Sequence, residues 1–237
     1  MRKTPEYAGP AGTATTRPST GAPRPPASNG RGRPRQFDTE QALDRAMQVF
    51  RAKGFHAASV ADLAADMGLT VGSIYKAFND KQTLFLQVFD RYLCQRREHT
   101  RQALAQAVTG RDKVAVLLQD YAALSQGVEG ILGCLVAGST AQLSALEDAL
   151  ARPVRQALDA NQSRLAAFIR LGQEDGSVDP ALNVEHSALL MLAVLQGMRV
   201  VGKAGRQHEE MTAVAALALR LLDRPMTALP ATALCSK

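Results

Sequence analysis

Between Gly68 and Lys81 the chain reads GLTVGSIYKAFNDK, and its polar side chains are of kinds that bind rather than react. Thr70 and Ser73 carry hydroxyls, Tyr75 a phenol, and Lys76 and Lys81 ammonium groups. All can hydrogen-bond a base edge or a phosphate oxygen. Gly72 lets a backbone come close to a partner. Val71 belongs by spacing to an inward stripe and by position to the base-reading end of a helix. Ser59 and the free amides that follow it can hold a further phosphate. Bond-making chemistry has no comparable footing. His56, His99, His186 and His208 are scattered, as are Cys94, Cys134 and Cys235. There is no HExxH, Glu-x-x-His, CxxC, GxSxG or glycine-rich phosphate loop, so neither a catalytic constellation, a metal site nor a bound cofactor is expected.

The elements that must position these residues follow from apolar spacing. Leu43, Met47 and Phe50 recur at helical intervals, and Lys53-Gly54 supplies a basic last turn and a stop, which predicts a first helix over 39–53. Ser59 is a good N-cap ahead of Val60, Leu63, Ala64 and Met67, one face of a short second helix. Gly68 ends it. Thr70 caps a third helix through Phe78, with Ile74 and Phe78 facing inward, and Asn79 or Asp80 caps a fourth that runs past Arg97. Further helices are expected over 112–126, 132–143, 149–173 (with Pro153 near its first turn), 183–201 and 209–222. No strand alternation is present. The second and third helices, joined by the tight turn Met67-Gly68-Leu69, satisfy a helix-turn-helix pattern, whose second helix enters a major groove. A glycine-turned helix pair buried as ordinary core is the competing reading.

Charge distribution suggests a polyanionic partner or, equally, a solubilising tail. Residues 1–35 hold seven of the 28 basic side chains and one of the 22 acidic ones, so the remainder balances and the whole formal excess of +6 lies in this arm. The same arm holds seven of the eleven prolines and five of the eighteen glycines and reads as disordered. Arg33 and Arg35, in Arg31-Gly32-Arg33-Pro34-Arg35, either line an A·T-rich minor groove or belong to a generic basic linker. No uninterrupted apolar stretch reaches the length of a membrane span, and a reducing, cytoplasmic and nucleoid-associated setting is expected.

The run FDTEQALDRAMQVFRAKGFHAASVADLAADMGLTVGSIYKAFNDKQTLFLQVFDRYL resembles the DNA-binding domain of TetR/AcrR-type regulators. The match lies in Phe50, Gly54-Phe55, Ser59-Val60, Ala64 to Gly68, Gly72 to Tyr75, Phe78, Lys81 and Leu84. It weakens downstream through GCLVAGSTAQL and EDGSVDP. One departure is Ala77, where many members carry a polar residue. The resemblance implies an all-α protein with a three-helix helix-turn-helix domain over 36–93. It further implies a helical ligand-binding and dimerisation domain over 94–224, between the arm (1–35) and a flexible tail (225–237). It implies a homodimer on a double-stranded operator, released by a small-molecule effector whose site the later helices enclose.

Candidate lining residues for that site are Phe89, Tyr121, Cys134, Phe168, His186 and Met191, each of which reads equally as core, cap or surface. Cys134 is either a buried structural thiol or a reactive one. The two last long helices are apolar around so much of their circumference that they need partners on more than one side: a second subunit, or simply the core of one. A repressor, an activator and an effector-independent architectural DNA protein remain open at this level.

Overall fold

The computed structural model describes residues 38–223; the basic arm with Arg33 and Arg35, and the tail from 225, lie outside the described residues. Among these the chain forms ten α-helices and no strand. They are α1 Thr39–Ala57, α2 Val60–Met67, α3 Val71–Phe78, α4 Lys81–Ala103, α5 Gly110–Leu124, α6 Gly127–Leu132, α7 Leu135–Thr140, α8 Asp148–Glu174, α9 Val184–Gly202 and α10 His208–Arg220. Short 3-10 turns cover Leu104–Gln106 and Leu143–Ala145.

The starts of the first five helices are set by short polar side chains. Asp38, Ser59, Thr70, Asp80 and Thr109 each accept a bond from the backbone N–H three residues on, satisfying an otherwise orphaned donor. The expected stop at Lys53-Gly54 is present as a break inside α1: Gly54 takes φ 78° and the helix resumes briefly to Ala57. The expected helix over 132–143 resolves instead into α6 and α7, separated by Gly133 at φ 86°. Pro153 lies in the second turn of α8 rather than the first, where its missing N–H leaves the Ala149 carbonyl without a helical partner.

Two cores organise the helices. The first joins α1–α4 to α7 and the first half of α8, around Phe50, Phe85 and Phe89. Phe50 and Phe85 meet edge to face at 5.2 Å between ring centroids. The second is built by α5, the later part of α8, α9 and α10 around Leu118, Ile169 and Met191. The join between α5 and α8 is backbone-close: a Cβ on Gly110 would lie 2.2 Å from the Phe168 carbonyl oxygen and 2.1 Å from Gly172 N. α9 has the length and mean hydropathy of a bilayer crossing, yet its inward stripe, Ala188 to Met198, is committed to the second core and it carries a buried arginine, Arg199.

Candidate nucleic-acid interface and effector cavity

The α2–α3 unit is fixed by capping and a left-handed turn. Ser59 Oγ accepts from Asp62 N at 3.0 Å and donates to Asp62 Oδ2 at 2.8 Å, while Ser59 N donates back to Asp62 Oδ2 at 3.0 Å, a closed capping box. Lys53 reaches Asp62 Oδ1 at 2.8 Å. The bond with Lys53 and those from Ser59 hold the Asp62 carboxyl down at about 2. Gly68 ends α2 at φ 67°, ψ 33°, a left-handed conformation that a Cβ disfavours, and Leu69 N donates to Ala64 O at 3.0 Å.

α3 is divided cleanly. Ile74 and Phe78 are buried, at 1% and 2% exposure. Thr70, Val71, Gly72, Ser73, Tyr75, Lys76 and Ala77 are exposed. Val71 therefore belongs with the outward residues rather than the inward stripe. Thr70 Oγ1 accepts from Ser73 N at 3.1 Å and lies 2.9 Å from Ser73 Oγ, which leaves lone pairs on both hydroxyls for another partner. A Cβ on Gly72 would meet nothing nearer than Thr70 Oγ1 at 3.9 Å, so the fold itself does not demand a glycine there.

Lys81 departs from the expectation that it reaches out to phosphate. Its Nζ donates to the Phe55 and Ala58 carbonyls at 2.9 and 3.0 Å and sits 4.5 Å from the Phe55 ring centroid. The last turn of α1 presents unpaired carbonyls and attracts a cation, so this ammonium locks α4 to α1 instead of facing solvent. Ser59 is exposed, but its hydroxyl is spent on the cap.

A cavity of about 430 Å³ lies between α4, α5, α7, α8 and α9, within the size range of small-molecule sites. Its walls include Leu86, Phe89 and Leu93 from α4, Leu117 and Tyr121 from α5, Leu165 from α8 and Leu195 from α9. Of the six residues expected, Phe89, Tyr121 and Cys134 line it. Three do not. Met191 is enclosed in the second core and Phe168 packs against that core. His186 is exposed on the first turn of α9, its N–H capped by Asn183.

Tyr92, Arg96, Arg164 and Arg199 also line the cavity, though none is among the residues expected there. Tyr92 and Arg96 follow Phe89 at three and seven residues, one stripe of α4. Arg199 was visible as a lone charge in the run MLAVLQGMRVVG. Tyr92 Oη donates to Cys134 Sγ at 3.3 Å. Burial, with the Cys134 thiol adding to it, raises the Tyr92 hydroxyl above the ordinary phenol range and the Tyr121 hydroxyl to about 12, so both remain protonated donors at neutral pH. Arg96 pairs with Asp120 at 2.5 Å, and His99 approaches the other oxygen of the same carboxylate at 2.6 Å.

The two halves are tied by a buried arginine. Arg51 of α1 donates through Nε to Gly133 O at 2.9 Å and through Nη2 to Glu129 Oε2 at 2.6 Å. Its guanidinium carbon lies 5.9 Å from the centre of the Tyr92 ring. Turned away from the cavity, α9 and α10 leave an apolar face open: Leu189, Leu190, Val200, Val201, Val214, Leu217 and Leu221 are all exposed. Gln196, on the same side of α9 as Leu189 and Val200 by helical spacing, has a buried amide with no partner. Among the described residues no three His, Cys, Asp or Glu side chains are gathered to hold a metal ion.

The family model for bacterial regulatory proteins of the tetR family matches residues 42–88. The HTH-type transcriptional repressor ComR of Escherichia coli (strain K12) is 28% identical over 192 residues, covering 81% of this chain and 91% of that protein. A cysteine mutant of the TetR family transcriptional regulator CifR, solved in complex with 26bp double-strand operator DNA, is 33% identical with a TM-score of 0.70, covering 79% of this chain and 98% of that one. The transcriptional regulator FadR from Bacillus subtilis, solved with stearoyl-CoA, shares the fold at 19% identity and a TM-score of 0.61, over 77% of this chain and 96% of that one.

Proposed function

The chain belongs to the TetR family of bacterial transcriptional regulators, and from that premise we propose that it acts as a dimeric repressor that a small molecule releases from a near-palindromic operator. The observation that carries this reading is α3: a short helix anchored by Ile74 and Phe78, with its other six residues and its Thr70 cap left to solvent. Thr70, Val71, Gly72 and Ser73, at its N-terminal end, read base edges in the major groove. Tyr75, Lys76 and the free amides after Ser59 hold phosphates. Arg33 and Arg35 run into the neighbouring minor groove.

The open α9–α10 face supports the dimer, since an apolar patch of this kind marks an interface. α4 supports the coupling between sites. Its Phe85, Val88 and Phe89 belong to the first core, its Lys81 holds the end of α1, and its Phe89, Tyr92 and Leu93 wall the cavity. A ligand that fits only one placement of α4 biases the spacing of the two α3 helices.

Selection of duplexes from a random-sequence pool tests this. Recovered sequences are expected to converge on one inverted repeat, and Lys76→Ala is expected to weaken binding to all of them. Scattered A·T-rich recovery without symmetry would replace the operator-specific reading with an architectural one.

A further inference from the structure

Arg199 is 2% exposed and lines the cavity from α9. Its Nη1 has no hydrogen-bond partner, and its Nη2 reaches only the Glu129 carbonyl, at 3.5 Å. The acids nearby are already engaged: the Glu129 carboxylate by Arg51 at 2.6 Å, and Asp120 by Arg96 and His99. Around the cavity stand four arginines, Arg96, Arg97, Arg164 and Arg199, against one acid, the exposed Asp90. A guanidinium held out of water without a counter-charge is strongly disfavoured in general. Folds retain such a group where something else supplies the anion.

Resting on the effector-cavity reading above, we propose that the cavity takes an amphipathic monoanion, a carboxylate whose head pairs with the Arg199 guanidinium and whose apolar body lies along Leu86, Leu93, Leu117 and Leu195. The planar fork of a guanidinium matches two carboxylate oxygens. The Tyr92 and Cys134 pair lines the same cavity. Because Nη2 of the same guanidinium leans on the Glu129 carbonyl in α6, while the Glu129 side chain holds Arg51 of α1, an acid that draws Arg199 toward the cavity acts on the residue that anchors Arg51.

The test is calorimetric titration of the full chain with hexanoate, decanoate and phenylbutyrate, each against its primary amide and with decyl phosphate as a second anion. Wild type, Arg199→Met and Arg199→Lys are compared. At least one carboxylate is expected to bind wild type roughly tenfold or more tighter than its amide. Arg199→Met is expected to lose that preference and, lacking the uncompensated charge, to melt at a higher temperature than wild type in the absence of ligand. Arg199→Lys is expected to keep part of the preference. Stronger binding of decyl phosphate than of decanoate would overturn the carboxylate assignment in favour of a phosphate head. Equal binding of acid and amide to wild type, or a preference that survives in Arg199→Met, would overturn the anion assignment and leave the effector cavity standing. Binding of none of the probes would overturn both.

Discussion

At the scale of single residues, the structure sorts chemically similar side chains into different roles. Lys76 and Lys81 are five residues apart, yet one is exposed and the other is bound to two carbonyls and a ring. Lys76→Ala should therefore lower DNA affinity and reduce the slope of log K against log salt by about one, as measured by fluorescence anisotropy across a salt series. Lys81→Met should leave that slope unchanged while lowering stability by about 1–3 kcal/mol in urea unfolding. Spacing could identify both as lysines near a recognition helix; only the position of α1's last turn decides between them. Asp62 gives a prediction in pH. Its carboxyl sits at about 2 when folded, against 3.8 for the ordinary group. A depressed carboxylate contributes stability above its unfolded value and loses it as pH falls toward the folded one. Thermal melts between pH 4 and pH 2 should thus fall less steeply for Asp62→Asn than for wild type.

At the scale of elements, caps and glycines were legible in the sequence because their physics is local. Ser59, Thr70 and Gly68 stand where short-range rules put them, and α2 and α3 begin and end there. Elements fixed by distant contacts were not legible. The division of α6 from α7 turns on Gly133, whose carbonyl is held by Arg51, 82 residues earlier. The cavity walls were half legible: Phe89 and Tyr121 are apolar enough to nominate, whereas Arg199 looked out of place until α4, α5 and α8 closed around it. Close approach is equally non-local. Gly110→Ala places a methyl against the α8 backbone, which cannot yield as a side chain tip can, so a loss of about 1–3 kcal/mol or more is expected in chemical denaturation. A value near zero would mean that α5 and α8 are not held this close.

At the scale of the whole molecule, the proposed function joins three surfaces: the outward face of α3, the cavity beside α4, and the open face of α9 and α10. Leu217, at 62% exposure, tests the third. Leu217→Glu should shift sedimentation from dimer to monomer and weaken operator binding, because the two reading heads are no longer held in register. The first surface carries the central claim, and tethered cleavage tests it most directly. Ser73→Cys, in a Cys94→Ser and Cys235→Ser background, would carry a DNA-cutting iron chelate on the selected duplex. Two sets of cuts in the major groove, related by a dyad and centred about 34–36 Å apart, are the predicted result; a single set, or cuts spread evenly along the duplex, would contradict the placement of α3 as the paired reading head.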